Sequence, residues 1–320
     1  MRGVCKVIGT TLVKYKDQQS QQLVNNLIIN LTETHPDLAI EHFNAVFKSF
    51  CSKELASAPP AKASAAAVIA LVWTNSVGLN AKRDSEVGKV EFLKLMEYQS
   101  LLYALAIQSN NEKVSEKAYS VIKTFWHKLG DDELKKYFDK FIGMEPAFNV
   151  VTFLSALLVF YRDEKSENEI LSSNKAKLLD HFVKGLITAK TKPNFHHITA
   201  CKILIQSMTK DEVKSALLPA MQRSMLRNPE IVLEGVGYIV KELRVDINDS
   251  ISELGKVLIQ NLYSKNDASR SESVESLKEI AKKCTDAKTI ENLLTQIFSV
   301  LGGSDGKITV AEYRINLLQV

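Results

Sequence analysis

The sequence predicts an all-α chain folded as an α-α superhelix, a solenoid of stacked antiparallel helix hairpins. Three observations predict it. Apolar residues recur at helical spacing along most of the 320 residues, and no alternating strand pattern breaks in. Glycine and proline number only 13 and 7, too few for a many-turned β architecture. Most helices carry one or two apolar stripes, as stacked pairs require, whereas a globular bundle needs some helices apolar all round.

Taken in order, Cys5 to Tyr15 reads as a short first helix. Asp17 is placed to cap Gln18 to Leu31, whose apolar face is Leu23, Val24, Leu27, Ile28 and Leu31. Pro36 starts the next helix, with Leu38, Ile40, Phe43, Val46, Phe47 and Phe50 as its buried side. Ser52 to Lys62 holds Pro59-Pro60 and small residues, so an exposed loop is expected there. Alanine-rich Ala63 to Val77 comes next, turning Ile69, Leu71, Val72 and Trp73 inward. A polar turn, Ala81 to Ser85, leads into a long helix from Glu86 to Ser109.

The next helix runs from Glu112 to Leu129, with Val114, Tyr119, Val121, Ile122, Phe125 and Trp126 near one stripe. Gly130 ends it, and Asp131-Asp132 start a helix to Ile142. Pro146 opens a strongly apolar run to Tyr161, and a polar loop, Arg162 to Glu169, separates it from Ala176 to Ala189. Pro193 opens Asn194 to Met208, and Thr209 is placed to cap the helix that begins at Lys210.

The clearest repeat is 211–243. Its first arm places Val213, Leu217, Leu218, Met221, Met225 and Leu226 at helical spacing; its second places Ile231, Val232, Leu233, Val236, Ile239, Val240 and Leu243. Only Arg227-Asn228-Pro229 lies between, a connection so short that the arms must be antiparallel neighbours. Pro219 removes a backbone donor inside the first arm and should bend it. Leu217-Leu218-Pro219 in a bent first helix, a tight turn and a straight second helix resembles a HEAT repeat. Ile251 to Tyr263, Ser271 to Cys284 and Thr289 to Leu301 continue the pattern, and Ile308 to Leu318 lacks a partner. Residues 1–320 are therefore expected to form a single HEAT-repeat array, the N-terminal part of a longer solenoid.

Several classes of chemistry are excluded on spacing. The loop Leu301-Gly302-Gly303-Ser304-Asp305-Gly306-Lys307-Ile308 has Leu301 where a phosphate loop needs its first glycine, and Ile308 where Ser or Thr must bind magnesium. Read as a calcium loop ending at Glu312, it puts Leu301 and Gly303 at ligand positions that require side-chain oxygen. His196-His197 have no Cys, Asp or Glu at ligand spacing, so surface or capping roles are expected. Cys5, Cys51, Cys201 and Cys284 are dispersed and read as core residues of a reducing compartment. Ala63 to Ala81 is uncharged and close to the ~20 residues a bilayer needs. Thr74, Asn75, Ser76, Gly78 and Asn80 make its second half polar, so a buried helix is expected and no membrane partner. The N-terminus has no signal-peptide layout. No enzyme, cofactor or metal is expected.

What stands out is charge. Net charge is only +4, yet residues 175–227 hold ten basic and three acidic residues, +7, against 31 and 34, −3, elsewhere. Turns of successive hairpins align along one edge of a solenoid, so such charges can form a stripe. Lys175, Lys177, Lys184, Lys190, Lys192, Lys202, Lys210, Lys214, Arg223 and Arg227 are the candidate contacts to a ribosome, through ribosomal RNA or an acidic protein surface. Lys82 and Arg83 make a smaller group of the same kind.

The tail from Ile297 to Val310, with Leu301-Gly302-Gly303-Ser304-Asp305-Gly306-Lys307 at its centre, resembles a segment of the general control nonderepressible one family. So do the 217–230 stretch just upstream, Leu71-Val72-Trp73-Thr74 with Ala81-Lys82-Arg83, and the Lys14-Tyr15-Lys16-Asp17 turn. The resemblance implies the N-terminal HEAT arm of a large activator of the initiation factor 2 alpha kinase. That family rides on translating ribosomes in the cytosol, senses stalled ones and promotes kinase activation in amino-acid starvation. The kinase and an ATP-binding-cassette partner are expected to dock outside these residues. The resemblance also implies that the chain begins several dozen residues inside the usual family start, as a fragment or alternative start would. The alternative function is a HEAT transport receptor or phosphatase-type scaffold, which acidic inner turns or peptide pockets would favour.

Overall fold

Each helix of the chain is too short to hide its apolar stripe alone, so the helices pair and the pairs stack. The computed structural model describes residues 3–4, 17–109, 111–188, 194–227, 236–237, 239–262, 264–303, 311–318 and 320, the side chains of 168–169, 183–188, 227, 312–313 and 316–317 excepted. Among the described residues the structure is all-α, without strands. It divides into two compact units, residues 1–144 with 152–154, and residues 145–151 with 155–320.

The first unit contains α1 (Gln18–Thr34), α2 (Pro36–Ser49), α3 (Pro60–Asn80), α4 (Glu86–Ile107), α5 (Glu112–Lys128) and α6 (Asp131–Ile142). Here α1 packs on α2 and α3, α2 on α3 and α4, α3 on α4 and α5, and α4 on α5. From α1 to α3, each helix thus touches its successor and the one after, which is the packing of stacked hairpins. In the second unit, after α7 (Phe148–Glu164), α8 (Asn168–Thr188) packs on α9 (Phe195–Gln206) and α10 (Leu218–Arg227). Next, α11 (Asn248–Asn261) packs on α10, α12 (Asp267–Lys282) and α13 (Ala287–Leu301). Finally α14 (Ala311–Leu318) rests on α12 and α13. Side-chain hydrogen bonds between hairpins span 36 positions at Lys210 and Asp246, and 51 at Asn25 and Ser76. The repeat length is thereby written in the bonding.

α3 is the apolar axis of the first unit. Four helices surround it, so it is apolar on most sides; Ala67, Ala70, Leu71 and Val77 are wholly buried. By length and composition Pro60–Asn80 could cross a membrane, yet 61% of its most apolar 18-residue window is buried within the protein. It is a core helix. Alanine lets its neighbours approach closely, and at Gly78 a Cβ would stand 3.0 Å from both Leu95 Cδ2 and the Phe125 ring. The polar half of α3 is also accounted for. Asn75 donates to the Val121 carbonyl at 2.8 Å and accepts from Gln99 at 2.9 Å. Gln99 in turn accepts from the Tyr137 hydroxyl. A second buried link runs from Asn44, which donates to the Glu91 carboxylate at 2.9 Å, to Lys94. Phe153 lies 4.8 Å from Phe141 and 5.4 Å from Trp126, closing the aromatic core.

Several boundaries differ from those read in the sequence. Ser52 to Lys62 is mostly exposed as expected, but its first residues belong to a π turn, Phe50–Glu54, that carries α2 onward, and buried Leu55 anchors the chain beyond it. Pro60 then takes the first-turn position of α3, where its missing N–H costs nothing. The loop after α7 shrinks because buried Ile170 and Leu171 start α8 well before Ala176. Leu23 and Leu27 are exposed at 63 and 40%, so the apolar face of α1 is only partly used. On α2 and the π turn after it, Leu38 is exposed at 53% but Ile40, Phe43, Phe47 and Phe50 are buried as expected. The interruption expected at Pro219 takes the form of a π turn, Val213–Leu217, placed directly before it, in which Leu218 N–H bonds the Val213 carbonyl. Cys5 to Tyr15, residues 228–235 and residues 304–310 lie outside the described residues.

Candidate interaction surface

The basic segment begins on α8. Lys175 Nζ donates to the Ser207 carbonyl at 2.7 Å and meets Glu212 at 3.2 Å. Glu212 is held in place by a capping box with Thr209. The Thr209 backbone N–H, then Lys175, hold its carboxyl below the ordinary range against the opposing pull of burial. On α9, Lys202 lies 3.0 Å from Glu242, whose other oxygen takes a 2.7 Å bond from Gln206. Arg244 donates back to Gln206 at 2.9 Å. Lys210 faces Asp246 at 3.4 Å and Asp249 at 3.6 Å, and Lys214 lies 3.8 Å from Asp249. Asp246, above all, raises the pKa of Lys210 from its ordinary value.

These pairs change the meaning of the local +7. Glu242, Asp246 and Asp249 fall outside 175–227 in sequence but stand in the next turn in space. Lys175, Lys202, Lys210 and Lys214 therefore serve as links between neighbouring turns, each pair of exposed charges worth little energy but helping fix register. Lys283 makes a similar link, donating to the Leu243 carbonyl at 2.7 Å. Lys177 and Arg223 are exposed and form no ion pair with a described residue. The side chains of Lys184 and Arg227, and Lys190 and Lys192 entirely, lie outside the described residues.

In the first unit Lys82 is exposed, while Arg83 is half-buried over Phe92, 5.2 Å from the ring centroid, with Glu133 at 3.9 Å. His197 is not a surface group as expected, while His196 is partly exposed. His197 is 6% exposed, against Phe182 at 5.6 Å, because the third residue of α9 points into the hairpin core. Burial pushes the pKa of both histidines down to about 4. Among the described residues no His, Cys, Asp and Glu cluster could hold a metal.

Sequence reasoning missed another surface. A groove of about 960 Å³ lies among α1, α3 and α5, floored by Ala61, Ala65 and Ile69 and rimmed by Lys62, Lys113 and Lys117. Its signal was the alanine run of α3, which leaves space where larger side chains would close the surface.

Residues 175–308 match the family model described as the N-terminal region of the stalled ribosome sensor GCN1. The chain is 28% identical over 323 residues to "Stalled ribosome sensor GCN1" of Mus musculus, and 27% identical to the Homo sapiens protein of that name. Both matches cover 99% of this chain and 12% of the relative. "Protein ILITYHIA" of Arabidopsis thaliana is 23% identical over 324 residues, covering 98% of this chain and 11% of that protein. No solved structure gave a significant match. The chain thus spans about an eighth of the curated relatives it matches, and the resemblance read in its tail and hairpin holds along almost its whole length.

Proposed function

We propose that this chain is the N-terminal HEAT arm of a cytosolic, ribosome-associated regulator that senses stalled ribosomes. The observation that carries the reading is its similarity, over 99% of its residues, to proteins named as stalled ribosome sensors. The stacked hairpins support it physically. They offer extended contact area, and the arm acts as a platform within one longer HEAT array instead of as a catalyst. In the whole protein this arm would help place the sensor on polysomes, and the state would pass to the initiation factor 2 alpha kinase during amino-acid starvation. The kinase and an ATP-binding-cassette partner would dock on other parts of the protein.

The contact residues proposed first are Lys177 and Arg223, with Lys82 in the first unit, because they are exposed and form no ion pair with a described residue. Lys184, Lys190, Lys192 and Arg227 remain candidates from the same basic stretch. Lys175, Lys202, Lys210, Lys214 and Arg83 are secondary, since an acidic partner already faces each. Cosedimentation of the chain with purified ribosomes across a salt series tests the reading. Binding at low salt that falls as salt rises is expected. No pelleting with ribosomes at any salt would overturn it.

A further inference from the structure

We propose that the groove of the first unit is a docking site for an acidic amphipathic helix, a protein contact separate from the basic stretch of the second unit. The floor is formed by one face of α3, where Ala61, Ala65 and Ile69 recur at four-residue spacing. Alanine side chains on that face let a second helix come close enough to pack backbone against backbone, with aliphatic knobs entering the space. Lys62 flanks the floor on α3, and Lys113 and Lys117, one turn apart on α5, form the opposite rim. All three are exposed, none is ion-paired to a described residue, and no carboxylate is among the lining residues. Glu112 and Glu116 of the same turns are not in the lining.

The chemistry favours a protein over nucleic acid. Single strands are held by aromatic platforms on which bases stack, and duplexes by rows of basic groups on the phosphates. This floor is aliphatic; Trp73, on the same helix, is 3% exposed and offers no ring face. Apolar floor and cationic rim together match a helix with alanine or leucine on one face and glutamate or aspartate on its flanks.

Fluorescence anisotropy of the full chain tests this, with a labelled amphipathic peptide of glutamate, alanine and leucine. Its scrambled isomer, of equal charge but without the apolar face, serves as comparison. The wild-type chain should bind the amphipathic peptide at least about tenfold more tightly than the scramble. Lys113→Glu with Lys117→Glu should weaken binding about tenfold or more, and Lys128→Glu, at the far end of α5, should leave it unchanged. Ala65→Arg adds positive charge yet fills the floor, so it too should weaken binding. Equal affinity for both peptides, tighter binding by Ala65→Arg, or equal competition by oligouridylate would each overturn the proposal in favour of general polyanion attraction. Absence of binding would overturn it outright. None of these results bears on ribosome cosedimentation, so the two readings fail separately.

Discussion

Gln99 and Asn75 meet inside the first unit, amide to amide at 2.9 Å, with Gln99 wholly buried. The pair joins α4 to α3, and Gln99 extends the chain of bonds to Tyr137 on α6 while Asn75 extends it to the Val121 carbonyl on α5. Four helices are pinned in one register by two side chains. Gln99→Leu keeps the volume but strands the Asn75 oxygen and the Tyr137 hydroxyl. It should lower unfolding free energy by about 2 kcal/mol, read by urea denaturation. An unchanged midpoint would show that water replaces the bonds at no cost.

Two glycines predict different penalties. At Gly78 an added methyl meets the ends of Leu95 and Phe125, which can yield. Gly78→Ala should cost about 1–3 kcal/mol in overpacking, offset by ~1 kcal/mol of helix propensity. At Gly88 the Cβ would stand 1.9 Å from the Lys82 carbonyl, where nothing but the backbone can move. The Ser85 cap, which accepts the Gly88 N–H at 3.0 Å, would be lost with that turn. Gly88→Ala should depress Tm more than Gly78→Ala, and the reverse order in a thermal melt would contradict this packing.

Buried His197 makes stability depend on pH. Its folded pKa is about 4 against an ordinary 6.5, so between those values the unfolded chain binds the extra proton. Its contribution is complete above pH 6.5 and is lost as pH falls towards 4, the loss amounting to about 2 kcal/mol by pH 5. His196 shifts in the same direction and adds its own slope. His197→Phe, which keeps a ring against Phe182, should remove roughly half of the stability lost between pH 7 and pH 5, measured by urea unfolding at both values. An identical slope in wild type and variant would show that the imidazole is solvated.

Glu91 points to a window lower on the scale. Burial pushes its carboxyl up, but bonds from Asn44 and Lys94 outweigh that and hold it below 4.5. Its stabilisation is present above pH 4.5 and disappears as pH drops through the depressed value. Asn44→Leu should flatten the acid limb of stability below pH 4.5, visible as a smaller wild-type-to-variant difference at pH 3 than at pH 7.

For the ribosome reading, Lys177→Glu combined with Arg223→Glu should cut ribosome cosedimentation more than Lys202→Ala combined with Lys210→Ala. The first pair reverses charges that meet no acidic group among the described residues, while the second removes charges already matched by Glu242, Asp246 and Asp249. A flatter dependence of binding on salt should accompany the first pair. Equal loss in both variants would place the contact elsewhere.

Helical periodicity and caps made the fold legible. Asp17, Thr209 and the Asp131-Asp132 start all sit at helix beginnings, because capping chemistry is local and needs only three or four residues. Charge pairing was not legible. Lys202 and Glu242 are 40 positions apart, and no local pattern ties one to the other. The +7 block was real in composition, yet three of its lysines, Lys202, Lys210 and Lys214, are answered by acidic groups of the next turn. Exposure failed for a related reason: Leu23 and Leu38 fit a stripe perfectly well, but a stripe does not say which part a neighbour covers. His197 was misread because a hydrophilic doublet at a helix start resembles a cap, and only the hairpin partner decides which ring turns inward.

The 31-to-51-position reach of the interhairpin bonds also governs how this protein comes into being. A hairpin needs only the next few dozen residues to complete its bonding partners, so each can lock while the chain is still emerging from its own ribosome. Growth is then a zipper that advances from the N-terminus, with low contact order at every step and no wait for a distant strand.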